Sequence, residues 1–188
     1  MSFLRSSPHS NTNQPSGKVE TMLEKIVSGG QTGVDRAALD AAIKLGVPHG
    51  GWCPKGRKAE DGKLADCYEL VETESDEYSE RTKHNIRDSD GTLIIVASTP
   101  IKVTDGTILT INEVKEKAKP YLIVDLSEKD KINEKIAYWI RDNNIKILNI
   151  AGPRESQSPG IYESSSKIFL ELLNMLEIKK GIFVSPKR

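Results

Sequence analysis

The sequence predicts an α/β protein with a mostly parallel sheet and helices on both of its faces. Short apolar runs alternate with helical patterns along the chain, which is typical of βαβ units. The run at residues 92–97 is continuously apolar in its centre, as expected of a strand buried on both sides. A glycine-rich turn, SGGQTG at residues 28–33, joins the first apolar run to the first helical pattern.

The elements follow in order from hydrophobic periodicity and from Gly and Pro stop signals. The first helix has small inward-facing residues, Ala37, Ala38, Ala41 and Ala42, and is stopped by Gly46. The second predicted helix is polar, and we expect it to be mostly exposed. Strands are predicted over residues 25–28, 49–53, 70–73, 92–97, 121–124 and 147–151. Helices are predicted over residues 34–45, 76–88, 107–118, 130–143 and 161–176.

The chain of 188 residues suits a single domain. Residues 1–24 are rich in Ser, Asn, Pro and Gln, and we expect a disordered tail there. The ligand-binding domain is predicted over residues 25–178, followed by a C-terminal tail at residues 179–188.

Composition excludes several classes of protein. The 27 basic and 27 acidic residues balance, so no global field attracts nucleic acid or an anionic membrane. No apolar run approaches the roughly 20 residues needed to span a bilayer. The two cysteines, Cys53 and Cys67, fit no zinc or redox spacing, and free thiols are favoured over a disulfide. We therefore expect a cytoplasmic protein with neither nucleic acid nor membrane as a partner.

The glycine turn predicts an anion site. Gly29, Gly30 and Gly33 allow close backbone approach, and the N–H groups at the start of the following helix favour an anion. The spacing matches neither G-x-G-x-x-G nor the Walker motif, so it names no nucleotide. The alternative is a tight βα turn with no ligand.

Two further strand ends carry residues suited to an anion. Ser98 and Thr99 follow the central strand, with Gly106 and Thr107 at the start of the next helix. The last strand is followed by the Gly152–Ser156 turn, where Arg154 can bind two phosphate oxygens. Because ligands of parallel sheets bind outside the carboxyl ends of the strands, these turns are expected to converge. The alternatives are a helix cap for Thr107 and a salt bridge to Glu155 or Glu163 for Arg154.

A long loop at residues 50–62 holds Trp52 and three cations. Trp52 is suited to stack on a flat ring, and Lys55, Arg57 or Lys58 to reach a phosphate. The alternative is that Trp52 plugs the edge of the core while the cations are solvated.

The catalytic inventory is thin. The three histidines lie far apart, and the sequence has neither a nucleophile elbow nor a metal cluster. Asp35, Glu60, Asp61 and Asp105 are acidic, and we expect them to cap helices or orient arginines rather than to catalyse.

Four motifs in this order resemble one family. They are SGGQTGVDRAALD at 28–40, GRKAEDG at 56–62, DGT at 105–107, and GPRES at 152–156 with PGIY at 159–162. Together they resemble the molybdenum cofactor carrier proteins, over residues 25–176. The resemblance implies a Rossmann-like three-layer sandwich, related to the lysine-decarboxylase-like phosphoribohydrolases.

The resemblance also implies a function. The expected ligand is the molybdenum cofactor (molybdopterin), a pterin with a terminal phosphate whose dithiolene holds the metal, so no protein metal ligand is needed. Storage or delivery to molybdoenzymes would follow, and helices on both faces suit a homo-oligomer. Predicted ligand-binding residues are Gly29, Gly30, Gln31, Thr32, Gly33, Asp35, Arg36, Arg57, Ser98, Thr99, Gly106, Thr107, Gly152, Arg154 and Ser156. No catalytic residue is predicted.

One departure separates the chain from the phosphoribohydrolases that resemble it. Their Gly-Gly-x-Gly-Thr-x-x-Glu motif ends in a glutamate that serves hydrolysis, and Thr110 stands at that position here. A hydroxyl cannot replace a carboxylate as a general base, which favours a binding protein. The remaining alternatives are a sensor of nucleotide-type ligands such as ADP-ribose or NAD, and a nucleoside monophosphate phosphoribohydrolase that uses another carboxylate.

Overall fold

The structure, a computed structural model, describes residues 23–97, 105–128 and 130–176. Each predicted helix and strand is found there, with ends displaced by two residues or fewer. The strands are β1 (Lys25–Val27), β2 (His49–Cys53), β3 (Lys58–Ala59), β4 (Gly62–Lys63), β5 (Leu70–Glu72), β6 (Gly91–Val96), β7 (Tyr121–Asp125) and β8 (Ile147–Ala151). The helices are α1 (Val34–Leu45), α2 (Tyr78–Arg87), α3 (Asp105–Glu116), α4 (Ile132–Asp142) and α5 (Ile161–Met175).

Six strands form one parallel sheet in the order β5-β2-β1-β8-β6-β7. β1 lies inside the sheet, where Val27 is aligned with Gly50 of β2 on one side and Asn149 of β8 on the other. If β6 were the first strand of the chain, the order would be 2-1-3-4-5-6, which extends the flavodoxin-like order. The chain is therefore a circular permutation of that arrangement, and its topological switch point lies between β6 and β8.

The helices cover both faces of the sheet. Right-handed crossovers place α1 and α4 on one face, where α5 packs against both of them, and place α2 and α3 together on the other. None of the helices in the described ranges is long and apolar enough to cross a bilayer.

The main core lies between the sheet and the three helices α1, α4 and α5 on one of its faces. It is aliphatic, with Ile26, Leu148 and Phe169 almost fully buried. Leu23 is also fully buried in this core, so the predicted tail at residues 1–24 extends too far by at least this residue. A smaller cluster contains Leu39, Leu64 and Leu70.

Two sequence predictions about this smaller region are wrong. The predicted long loop at residues 50–62 overlaps the antiparallel hairpin β3–β4, whose Ala59 is buried in the same cluster as Leu39. The helix α2 is not mostly exposed, because Thr82, Asn85 and Ile86 are buried. Ile86 anchors the helix on the sheet, while the polar residues of the same helix face the region described next.

Candidate functional site

A cavity of about 70 Å³ lies at the carboxyl ends of β1, β6 and β8, beneath α2 and α3. This is the switch point of the sheet, where open α/β sheets bind ligands. The side chains and backbone that line it come from five separate parts of the chain. They are Gln31, Asp35, Tyr78, Arg81, Thr82, Asn85, Ile94, Gly106, Thr107, Leu109, Thr110, Asn149, Ile150, Ala151, Gly152, Arg154 and Gln157.

One wall of the cavity is an ion pair between α1 and α2. The Nη1 atom of Arg81 donates to Oδ2 of Asp35 at 2.9 Å, and the two side chains are 15% and 4% exposed. Burial raises the pKa of Asp35, and the charge of Arg81 opposes that effect. The Nε atom of Arg81 is buried and has no hydrogen-bond partner. Arg81, which lines the cavity, therefore has a buried donor that the protein leaves unsatisfied.

Gln31 supplies a second donor of the same kind. Its Oε1 atom accepts hydrogen bonds from the backbone N–H groups of Thr32 at 3.0 Å and Glu60 at 2.9 Å. These two donors fix the orientation of the amide, so Nε2 lies on the other side of the group. Nε2 is buried without a partner, in a side chain that is only 4% exposed. Gln31, which also lines the cavity, thus has an unsatisfied donor and not an unsatisfied acceptor.

The glycine turn itself is occupied by groups of the protein. A Cβ atom on Gly29 would lie 1.5 Å from Nη1 of Arg81, so this glycine gives room to the guanidinium group. The backbone N–H of Gln31 donates to the Asp35 carboxylate, and the backbone N–H of Val34 donates to the Pro153 carbonyl. These two backbone donors are therefore satisfied within the protein, whereas the unsatisfied donors of Arg81 and Gln31 belong to side chains.

The helix α3 forms the opposite wall. Thr107 is the third residue of the helix rather than a residue that precedes it, and it is buried at the cavity. Thr110 is also buried, and its hydroxyl donates to the Gly106 carbonyl at 2.9 Å. Glu113, one turn further on, pairs with Lys117 at 3.7 Å. Of the described residues that line the cavity, Asp35 alone carries a carboxylate, and Arg81 already holds it.

Arg154 and Tyr78 stand at the mouth of the cavity, and both are half-buried. The guanidinium carbon of Arg154 lies 4.7 Å from the centre of the Tyr78 ring, which is a cation–π contact. The alternative considered for Arg154 was a salt bridge to Glu155 or Glu163, but both glutamates have other partners. Glu155 accepts from the amides of Gly160 and Tyr162, and Glu163 pairs with Lys167 at 2.9 Å.

The hairpin holds these turns together through Glu60. Its carboxylate accepts hydrogen bonds from the hydroxyl of Thr32 and from the hydroxyl of Ser156, the latter at 2.5 Å. Burial acts to raise the pKa of Glu60, but these hydrogen bonds keep that pKa below its usual range. Asp61, the next residue, binds both Nη atoms of Arg36 at 3.1 Å. Asp35 and Asp61 thus each pair with an arginine, whereas Glu60 accepts hydrogen bonds from two hydroxyl groups, and the non-catalytic role expected for the acidic residues stays a prediction.

A second, more open depression of about 470 Å³ lies on the other side of the glycine turn. Its described lining includes four carboxylates, those of Asp40, Asp61, Glu155 and Glu163, and one guanidinium, that of Arg36. This excess of negative charge disfavours an anion. The smaller cavity at the switch point is therefore the candidate anion site.

The structure brings together six of the predicted ligand-binding residues. Gln31, Asp35, Gly106, Thr107, Gly152 and Arg154 line the cavity. The others that it describes lie outside the lining, and a ligand role for them stays a prediction: Gly29, Gly30, Thr32, Gly33, Arg36, Arg57 and Ser156. Ser98 and Thr99 lie outside the described residues.

Arg57 and Trp52 have structural contacts instead. The guanidinium of Arg57 donates to four backbone carbonyls of the loop at residues 64–70. The indole of Trp52 donates to Asp88 at 2.8 Å and meets the His84 ring edge-on, away from the cavity. Both interpretations of Trp52, as a ring-stacking residue and as a plug of the core edge, differ from this placement.

Sequence reasoning missed the contribution of α2. Tyr78, Arg81, Thr82 and Asn85 all line the cavity, and they follow the i, i+3, i+4, i+7 spacing of one helix face. That spacing is a signal in the sequence. It was not informative because a polar face of a helix usually lies in solvent.

The fold and the cavity define a Rossmann-like protein, circularly permuted, with its candidate site at the switch point. A family model described as the circularly permutated YpsA SLOG family matches residues 26–173. The chain belongs to this family, and the strand order above gives the permutation its structural meaning.

A solved structure gives a second comparison. It is that of a protein from Syntrophus aciditrophicus SB named "putative molybdenum carrier protein", which is 43% identical to this chain. The match covers 81% of this chain and 96% of that one, with a TM-score of 0.76. The predicted resemblance to this group of carrier proteins and the predicted Rossmann-like fold are confirmed. No curated protein sequence matches the chain significantly.

Proposed function

We propose that the protein binds the molybdenum cofactor, for storage or delivery, through an oxyanion site in the cavity at the switch point. The observation that carries this proposal is the pair of buried donors without a partner, Nε of Arg81 and Nε2 of Gln31. Leaving such a donor unsatisfied costs about 1–3 kcal/mol each, a cost that an acceptor on a ligand would remove. The similarity to a structure named as a molybdenum carrier supports the choice of ligand.

The chemistry of the cavity fits an oxyanion. Gln31 and Arg81 offer donors, and Arg154 adds a cation at the mouth. The N-terminal turn of α3, with Gly106 and Thr107, adds the positive end of a helix dipole. Asp35 is already neutralised by Arg81 and so repels an anion less than a free carboxylate would.

The volume of the cavity limits which part of the ligand enters it. A space of about 70 Å³ holds about two waters, or one compact tetrahedral group, at roughly 30 Å³ per water. A phosphate or an oxo-metal group matches this size, whereas a pterin does not. The ring system would therefore lie at the mouth. The bound cofactor would supply its own metal, held by its dithiolene.

The same walls disfavour hydrolysis. Thr110 occupies the position of the hydrolytic glutamate, and its hydroxyl is engaged by the Gly106 carbonyl. Asp35, which carries the one carboxylate among the described lining residues, is buried in an ion pair. A general base for attack on a glycosidic bond would need a carboxylate free to accept a proton.

The test is a calorimetric titration of the purified protein with molybdenum cofactor, beside separate titrations with molybdate and ADP-ribose. We expect saturable cofactor binding that protects the cofactor from oxidation. The variant Gln31→Glu replaces the donor by a second acceptor, and we expect it to lose cofactor binding. Binding of ADP-ribose with no binding of the cofactor would refute the proposal and favour the nucleotide-sensor alternative. Release of free base from a nucleoside monophosphate would favour the hydrolase.

A carrier also needs a recipient. We propose molybdoenzymes as the partners and a homo-oligomer as the working form, as expected from the sequence. Light scattering of the purified protein measures its mass. Transfer of cofactor from the loaded protein to an apo-molybdoenzyme, with the free cofactor as reference, measures delivery.

A further inference from the structure

The guanidinium of Arg154, at the mouth of the cavity, is held by an aromatic ring. Its central carbon lies 4.7 Å from the centre of the Tyr78 ring. Among the described residues it has neither a salt bridge nor a hydrogen-bond acceptor, since the hydrogen bond that Arg154 donates to Gln157 comes from its backbone. Glu60 acts on Arg154 through charge at longer range. The N–H donors of this guanidinium are therefore uncommitted, while the ring restricts its position.

The neighbouring cations differ in this respect. Arg36 donates from both Nη atoms to Asp61 at 3.1 Å. Nζ of Lys58 also lies near the Tyr78 ring, 5.8 Å from its centre, but it donates to Asp76 at 3.1 Å. Each of these two cations is paired with a carboxylate, so neither offers its whole charge to a ligand. The ring of Tyr78 thus contacts one committed cation and one that is available.

A contact of this kind orients an arginine without consuming its donors. A guanidinium stacks on an aromatic ring through its face and donates hydrogen bonds from its edge. Tyr78 belongs to α2 and Arg154 to the turn after β8, so a separate element of the fold supports the side chain. A long side chain that is ordered before the ligand arrives loses less conformational freedom on binding. The affinity for an anion is therefore expected to depend on the ring.

We propose that Tyr78 is a positioning residue, which holds the guanidinium of Arg154 at the mouth with its edge toward an oxyanion in the cavity. This deepens the proposed function and rests on it, because the oxyanion is the group of the ligand that enters the cavity. The two side chains are in direct contact, so the ligand meets the edge of the guanidinium and not the face that Tyr78 covers. Tyr78 acts through Arg154 and needs no contact of its own with the ligand.

The test is a double-mutant cycle read by calorimetry with inorganic phosphate. Tyr78→Leu removes the ring and should raise the Kd of phosphate about three- to tenfold, the range expected from ordering one long side chain. Tyr78→Phe keeps the ring and should bind as the wild type does. In the Arg154→Ala background, Tyr78→Leu should cause no further loss, because no guanidinium is left to position. A purely structural role of Tyr78 would weaken binding in both backgrounds.

Two controls accompany the cycle. Tyr138→Leu removes a tyrosine that is 69% exposed on α4, on the other face of the sheet, and should leave phosphate binding unchanged. Urea denaturation shows whether Tyr78→Leu is folded, and Tyr78→Met takes its place in the cycle if it is not.

The outcomes separate the positioning role from the proposed function. Wild-type affinity in Tyr78→Leu, or the same loss with and without Arg154, would overturn the positioning role. If phosphate binding depends on Tyr78 through Arg154 but the molybdenum cofactor does not bind, the positioning role stands and the choice of ligand fails. If the cofactor binds and the cycle shows no coupling, the choice of ligand stands and the positioning role fails. A wild type that binds no phosphate would overturn the oxyanion site and the positioning role with it.

Discussion

The substitution Gly33→Ala tests how closely the turn after β1 packs against the turn after β8. Gly33 precedes α1 with φ 76° and ψ −128°, a conformation that residues with a side chain rarely adopt. A Cβ atom there would lie 2.4 Å from the Pro153 carbonyl oxygen and 2.8 Å from the Glu155 nitrogen. Because both neighbours are backbone atoms, the turn that carries Arg154 would have to move.

The expected cost adds two effects. The conformation contributes roughly 1–3 kcal/mol and the overpacking a further 1–3 kcal/mol, so we expect a loss of about 2–6 kcal/mol in unfolding free energy. The matched control is Gly46→Ala at the other end of the same helix. Gly46 has φ 67° with no atom within 4 Å of an added Cβ, so only the conformational cost of about 1–2 kcal/mol applies.

Urea denaturation of both variants beside the wild type measures the difference. A Gly33→Ala variant no less stable than Gly46→Ala would contradict the close contact between the turns. A second consequence concerns the site. Displacement of the Arg154 turn should weaken oxyanion binding in Gly33→Ala, whereas Gly46→Ala should bind as the wild type does.

Three further predictions follow from individual contacts. Arg154→Ala should weaken phosphate binding at least tenfold, about 1.4 kcal/mol for a lost charge-assisted contact, and an unchanged calorimetric Kd would exclude Arg154 from the site. Glu60→Gln should weaken phosphate binding several-fold, because its hydrogen bonds to Thr32 and Ser156 hold the hairpin that orients Gln31. The exposed control Glu74→Gln should bind normally, and equal effects would show that charge alone matters. Hydrogen bonding by Arg87 lowers the pKa of Asp88 to about 2. The charged Asp88 carboxylate therefore stabilises the folded protein above the usual aspartate pKa, and this stabilisation disappears as pH falls through about 2. Asp88→Asn should therefore be less stable than the wild type at pH 7 and not at pH 2, which urea titrations at both pH values would check.

The sheet and its helices could be predicted because each element has its own local signal. A continuously apolar run such as residues 92–97 is expected in a buried strand, and alanines at helical spacing mark α1. The hairpin β3–β4 has no such signal. Its two short strands are held by tertiary contacts, with Ala59 buried in the same cluster as Leu39, and not by an alternating pattern.

The candidate site could be predicted only in part, for the same reason. The turns after β1 and β8 are marked by glycines, and Gln31, Gly152 and Arg154 were found in this way. Arg81 was not, because nothing in a polar helix shows which side faces a cavity. The orientation of Gln31 depends on the amide of Glu60, 29 residues away, and such long-range contacts leave no mark in a single sequence.

The structural role of Arg81 and its proposed role toward the ligand can be separated. Arg81→Met leaves the buried carboxylate of Asp35 without its partner, and breaking a buried pair costs about 3–5 kcal/mol. The double variant Asp35→Asn with Arg81→Met removes both charges and should recover most of that loss in urea denaturation. It should nevertheless bind phosphate at least tenfold more weakly than the wild type, because the Nε donor is missing. A double variant that regains stability and also binds phosphate normally would exclude Arg81 from the ligand site.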